Sequence, residues 1–205
     1  MSAPTAILLF ARSAGEEARQ KALPLGIAAQ LLRRARRTCT GSGLPVYEID
    51  ERAQEGDTFG SRLSRAVAET FACGHECLLI VGSDCPFLTK GQLRAAARFL
   101  NTGRALLGRD HRGGAYLIGL HRRQFSATAF AALPWCTDRL ADALTLALGS
   151  SRELPARADI NSFSDTLQYA TAAGLSVAGP QGQGGRMHEG GLHTHQLPGR
   201  GPPLG

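Results

Sequence analysis

The stretch Cys77-Leu78-Leu79-Ile80-Val81-Gly82-Ser83-Asp84-Cys85-Pro86-Phe87-Leu88-Thr89 decides the fold. Its apolar run, closed by Gly82 and Pro86, predicts a short strand buried on both faces. Such strands sit in the middle of a mostly parallel sheet with helices above and below. This one delivers a single carboxylate, Asp84, at its C-terminal end, the edge where open α/β sheets bind ligands. Pro86 keeps Cys85 out of the helical region, so the chain is expected to stay extended past the acid.

Outward from that strand, strands and helices alternate. Ala6 to Ala11 predicts a buried first strand, followed by a polar loop from Arg12 to Lys21. Ile27, Leu31, Leu32 and Ala35 recur at helical spacing, Pro45 to Ile49 alternates as a strand, and Leu63, Val67 and Phe71 mark a helix from Gly60 to Phe71. Thr89 opens a helix carrying Leu93, Ala96, Ala97 and Leu100. Ala105 to Gly108 and Ala115 to Leu120 read as strands, Asp138 to Leu148 as a helix, Glu153-Leu154 as a short strand, and a last helix starts near Ser164. The expectation is one three-layer α/β/α domain over residues 1–175. The Gly/Pro-rich segment 176–205 is expected to be a disordered tail, and its His188, His193 and His195 to have no functional role.

The chain has 205 residues and a formal net charge of +6, enough for one core of ordinary size. Arg33, Arg34, Arg36 and Arg37 hold much of the excess charge. They lack interleaved aromatics, which argues for a solvated helix face and against nucleic acid. The five cysteines fit reduced thiols in a cytoplasmic protein better than a disulfide framework. The N-terminal apolar run is too short for a signal peptide, and no stretch is long enough to span a membrane.

Four further segments are expected to converge on Asp84 at one sheet edge. The loop after the first strand brings Arg12, Arg19 and Lys21, cations suited to phosphate oxygens. Arg109-Asp110-His111-Arg112-Gly113-Gly114 joins two strands, and its glycines let backbone approach a ligand. Pro134-Trp135-Cys136-Thr137-Asp138 offers an apolar wall, and either a helix cap or a general base at Asp138. Asp159-Ile160-Asn161-Ser162 brings late oxygen donors. Asp84 with Asp159 or Asn161 makes a hard-oxygen set of the kind that magnesium or manganese prefers.

In order and spacing, several segments resemble a bacterial glycosyltransferase A-like family. They are Phe10-Ala11-Arg12, Gln54 to Leu63, Gly82 to Thr89, Gly113 to Leu120, Pro134 to Asp138 and Asp159 to Ser162. That family was long labelled a domain of unknown function. Its members go under the names arsenosugar-biosynthesis or radical-SAM/selenodomain-associated transferases, and its fold is similar to that of cofactor guanylyltransferases. The resemblance implies a nucleotide-diphospho-sugar transferase fold and a metal-dependent glycosyltransferase that uses a nucleotide sugar and a small-molecule acceptor. It puts Asp84 at the magnesium or manganese, and Asn161 or Asp159 at the second metal position. Phe10, Ala11, Arg12, Arg19, Lys21 and Ser83 would lie around the nucleotide, and Arg62, Arg112, Gly113, Gly114 and Trp135 on the acceptor side. Asp84 and Asp138 are the catalytic candidates.

Three departures stand out. Gln20, Lys21 and Ala22 replace the family's Lys-Thr-Arg, Arg112 replaces an acid, and Asp159-Ile160-Asn161-Ser162-Phe163 replaces Asp-x-Asp-Thr-Pro. Two alternatives stand beside this reading: a nucleotidyltransferase acting on a nucleoside triphosphate, which Gln20 and Ala22 count against, and a weakened ligand-binding or partner-binding protein on the same fold, which the missing cations support and the retained Asp84 opposes.

Overall fold

The computed structural model describes residues 4–149 and 151–176. The tail beyond residue 176, with its three histidines, lies outside them. Six strands form one sheet: β1 (Thr5–Phe10), β2 (Val46–Ile49), β3 (Cys77–Val81), β4 (Ala105–Asp110), β5 (Ala115–His121) and β6 (Ser151–Arg157), in spatial order β2-β1-β3-β5-β4-β6. β2, β1, β3, β4 and β6 run the same way, and β5 alone is antiparallel to its neighbours. The helices are α1 (Ala14–Lys21), α2 (Leu25–Thr40), α3 (Phe59–Ala72), α4 (Lys90–Leu100), α5 (Ala127–Ala131), α6 (Leu140–Leu148) and α7 (Phe163–Ala173).

The central strands are apolar on both faces because both faces are covered. Leu8, Leu78, Ile80 and Leu107 pack against Leu63, Val67 and Phe71 of α3 and Leu140 and Leu144 of α6. Their alternate neighbours Ile7, Leu9, Leu79, Val81 and Leu106 meet Leu32 of α2 and Leu93, Ala96 and Leu100 of α4. This is the expected α/β/α sandwich. A third cluster joins Ile27 and Leu31 of α2 to Ile160 and to Ala170 and Ala173 of α7, pinning the late segment beside the sheet end.

Three local expectations are corrected. The first loop is mostly helix: Ser13 caps α1 by accepting from the Glu16 N–H at 3.4 Å. Ser13 is itself held by Glu51, through both N–H and hydroxyl at 2.6 Å. Past Asp84 the chain does not stay extended but turns at Pro86-Phe87, with the Leu88 N–H donating to Cys85 O at 3.4 Å. The helix expected from Asp138 begins at Leu140, with no side-chain cap. Its start is fixed by Gly113, whose carbonyl accepts the Ala141 N–H at 2.8 Å. The β4–β5 hairpin and α6 are thereby tied together.

Candidate active site

β3 ends where the sequence places the acid, and the chain from β6 to α7 crosses directly over it. The Ile160 N–H donates to the Asp84 carbonyl at 2.9 Å, so Asp159 and Asn161 flank the acid. A cavity of about 570 Å³ opens at this sheet edge. Its wall carries residues from all four expected segments: Arg12 and Lys21; Arg112 and Gly114; Trp135 and Asp138; Asp159 and Asn161. Phe10, Ala11, Ser83 and Asp84 complete it from β1 and β3.

Three expected residues lie elsewhere. Arg19 turns away on α1 and pairs with Glu16 at 2.6 Å. Arg62 is spent on the Gly56 and Asp57 carbonyls. Gly113 sits behind the wall with φ +84°, where a Cβ would stand 1.9 Å from the Asp138 carbonyl oxygen. Only glycine fits there, so this residue shapes the wall without facing the cavity.

Sequence reasoning missed Glu17, Asp110 and Phe59, which line the cavity, and Asp165 behind it. Glu17 is buried and bridges two cations, Arg12 at 3.2 Å and Lys21 at 2.6 Å. Its i,i+4 spacing from Lys21, after a Ser-x-x-Glu start, was the available signal. Asp110 accepts the Arg112 and Gly114 N–H groups at 2.7 and 2.8 Å and folds the hairpin turn. Asp165, also buried, pairs with Arg112 and accepts the Asn161 N–H at 2.8 Å. Trp135 packs on Phe59 and Phe130 with centroids 5.6 and 4.9 Å away, and its indole N–H donates to Phe130 O at 2.8 Å. Next to it, Cys136 holds φ +62°, a costly conformation for a side chain other than glycine.

The electrostatics are those of an acid cluster under tension. Burial opposes ionisation of Asp84, but the Lys21 ammonium 2.9 Å away overrides it and holds the carboxyl below its ordinary value. Burial likewise disfavours the Lys21 charge, and Asp84 and Glu17 reverse the balance. Asp159 forms no ion pair among the described residues. Burial, followed by the negative charges of Asp84 and Asp110, pushes it up to about 9, and the Lys21 charge and the Cys85 thiol hydrogen bond only partly offset these effects. Its Oδ1 is buried and unbonded. Burial and Asp159 also keep the neighbouring Cys85 thiol protonated.

Five carboxyls line the cavity (Glu17, Asp84, Asp110, Asp138 and Asp159) against three cations (Arg12, Lys21 and Arg112), each already paired. An anionic ligand entering here needs more positive charge than the wall supplies. Asp84, Asp159 with its unbonded Oδ1, and Asn161 therefore fit a divalent cation. Among the described residues no three His, Cys, Asp or Glu side chains form a metal-binding group, so two acids and an amide would share the ion with ligand oxygens.

The fold is an α/β/α sandwich with a six-strand, mostly parallel central sheet, matching nucleotide-diphospho-sugar transferase-like folds. Residues 18–137 match the family described as "Uncharacterized protein conserved in bacteria (DUF2064)", and the chain belongs to that family. No curated protein is significantly similar to it. Among solved structures it is similar to a protein provisionally assigned as a nucleotide-diphospho-sugar transferase from Desulfovibrio desulfuricans G20. That pair has 20% identity and a TM-score of 0.67, covering 82% of this chain and 87% of the other. A Mycobacterium sp. strain JC1 homologue of rv0371c has 15% identity and a TM-score of 0.53, covering 84% and 98%. Rv0371c from Mycobacterium tuberculosis H37Rv has 17% identity and a TM-score of 0.50, covering 82% and 98%. At these identities the likeness establishes the fold.

Proposed function

We propose that this protein is a cytoplasmic, metal-dependent transferase that takes a nucleotide-activated donor, specifically a nucleotide sugar, in the cavity at the ends of β1 and β3. The carrying observation is the juxtaposition of Asp84 with Asp159 and Asn161 in a cavity whose own cations are all neutralised. Asp84, Asp159 and Asn161 would hold magnesium or manganese, which supplies charge stabilisation for a departing diphosphate.

The rest is work for the chain's own residues. Arg12 and Lys21, positioned by Glu17, face the donor phosphates. Phe59 and Trp135 form an apolar wall that excludes water from one side of the cavity. Asp138, exposed at the rim, is placed to accept the acceptor hydroxyl's proton. The free cysteines and the absence of a membrane-crossing helix among the described residues agree with a cytoplasmic setting. The arsenosugar and radical-SAM/selenodomain-associated transferases that the sequence resembles indicate which acceptors to screen first.

A nucleoside triphosphate carries more charge than a diphosphate sugar and needs unpaired cations in the first segment. Arg12 and Lys21 are both committed to carboxylates, which favours glycosyl over nucleotidyl transfer. Thermal denaturation against nucleoside triphosphates and nucleotide sugars, with and without manganese, tests the choice. Selective stabilisation by a nucleotide sugar with manganese is expected. Stabilisation by a triphosphate instead would transfer the reading to nucleotidyl transfer, and a flat response would leave a binding protein without this chemistry.

A further inference from the structure

Lys21 Nζ lies 2.6 Å from Glu17 Oε1, 2.9 Å from Asp84 Oδ2 and 3.3 Å from Ile160 O. An ammonium has three protons to donate, and here all three have an oxygen. Two carboxylates and one carbonyl are also the kind of hard-oxygen set that a divalent cation takes. The arrangement is anchored at both ends of α1. The lysine side chain is 14% exposed, it stands in the last turn of α1, and the next residue, Ala22, closes that helix in the left-handed region. Ser13 locks the other end of the helix to Glu51. The fold thus holds the ammonium on Asp84 Oδ2, one of the two oxygens through which Asp84 would bind a metal.

We infer that Lys21 is the resident cation of the acid cluster and that a divalent ion binding Asp84 competes with it and loosens its hold on that carboxylate. The inference rests on the proposed metal-dependent reading and adds a cation exchange to it. Once released from Asp84, the ammonium stays tethered by Glu17 and turns to the donor phosphates. Metal binding therefore removes one of the two carboxylates that neutralise Lys21, and leaves the ammonium, still paired with Glu17, turned toward the donor. Linkage then requires that donor binding tighten the metal by the same factor.

The chain contains two lysines, Lys21 and the exposed Lys90, so the unmodified protein carries its own internal reference. With isotope-labelled lysine, the side-chain nuclear magnetic resonance signals are followed while magnesium is added to the full chain. The Lys21 signal is expected to shift saturably and the Lys90 signal to stay still, with Asp84→Asn abolishing the shift. In parallel, Lys21→Met is expected to bind manganese roughly ten-fold tighter or more, read by electron paramagnetic resonance. If metal binding depends on Asp84 but the Lys21 signal does not move, or Lys21→Met binds manganese no tighter, the exchange is wrong and the proposed function stands. If the ion does not bind, or binds equally well to Asp84→Asn, the proposed function falls and the exchange with it.

Discussion

Ile160 donates its backbone N–H to the carbonyl of Asp84 at 2.9 Å, joining residues 76 positions apart in the chain. This bond sets Asp159 on one side of the acid and Asn161 on the other. It is made by backbone, so it survives side-chain substitutions at either end and makes the cluster testable one residue at a time.

Asp84→Ala should lower turnover by roughly 10²-fold or more, the scale of losing a principal electrostatic group at a reacting centre. The fold should persist, because Glu17 retains Lys21 and the Ile160 bond is untouched. Steady-state kinetics alongside far-ultraviolet circular dichroism checks both halves.

Asp159 should impose a pH dependence on stability. An aspartate titrates near ~4 when unfolded, and here folding raises it to about 9. Between those values the native state holds a proton that the unfolded state releases, so stability falls as pH rises and levels off above the folded value. Asp84 acts oppositely: its lowered value contributes stability that is lost only as acid protonates it. Urea denaturation across this pH range should therefore show a declining slope that Asp159→Asn flattens.

Gly113→Ala should destabilise by about 2 kcal/mol or more, since φ is +84° and the new Cβ would meet the Asp138 carbonyl backbone. The hairpin also caps α6 through Gly113 O, so the damage should extend to the cavity wall. A lower melting temperature together with weaker donor binding is the expected pair of results.

Trp135→Ala removes a half-buried ring that contacts Phe59 and Phe130 and one indole hydrogen bond. A loss of about 2 kcal/mol is expected, below the range for fully buried aromatics. KM for donor or acceptor should rise more than kcat falls, because the ring shapes the cavity without titrating.

The sandwich was legible because its signals are local. Five apolar residues from Cys77 to Val81 demand two covered faces, and Thr89 caps α4 by accepting from Gln92 N at 3.2 Å. The positions of Asp84, Asp159 and Asn161 also followed from strand ends and a late oxygen-rich motif. What escaped was the pairing of charges. Nothing in the sequence order reveals that Arg112 is spent on Asp165, 53 residues away, or Lys21 on Asp84. α1 reads as a loop in the sequence because its charged residues mask an amphipathic pattern, and the contact that holds its Ser13 cap comes from Glu51 in a distant turn. Arg19, which looked like a phosphate ligand, is drawn back along its own helix by Glu16.

The most direct test of the central claim is calorimetric titration of a nucleotide-diphospho-sugar into the full chain, with and without manganese, in wild type and Asp84→Asn. The account predicts that manganese strengthens donor binding in the wild type and has no effect in the variant. Donor binding that ignores both manganese and Asp84 would contradict it.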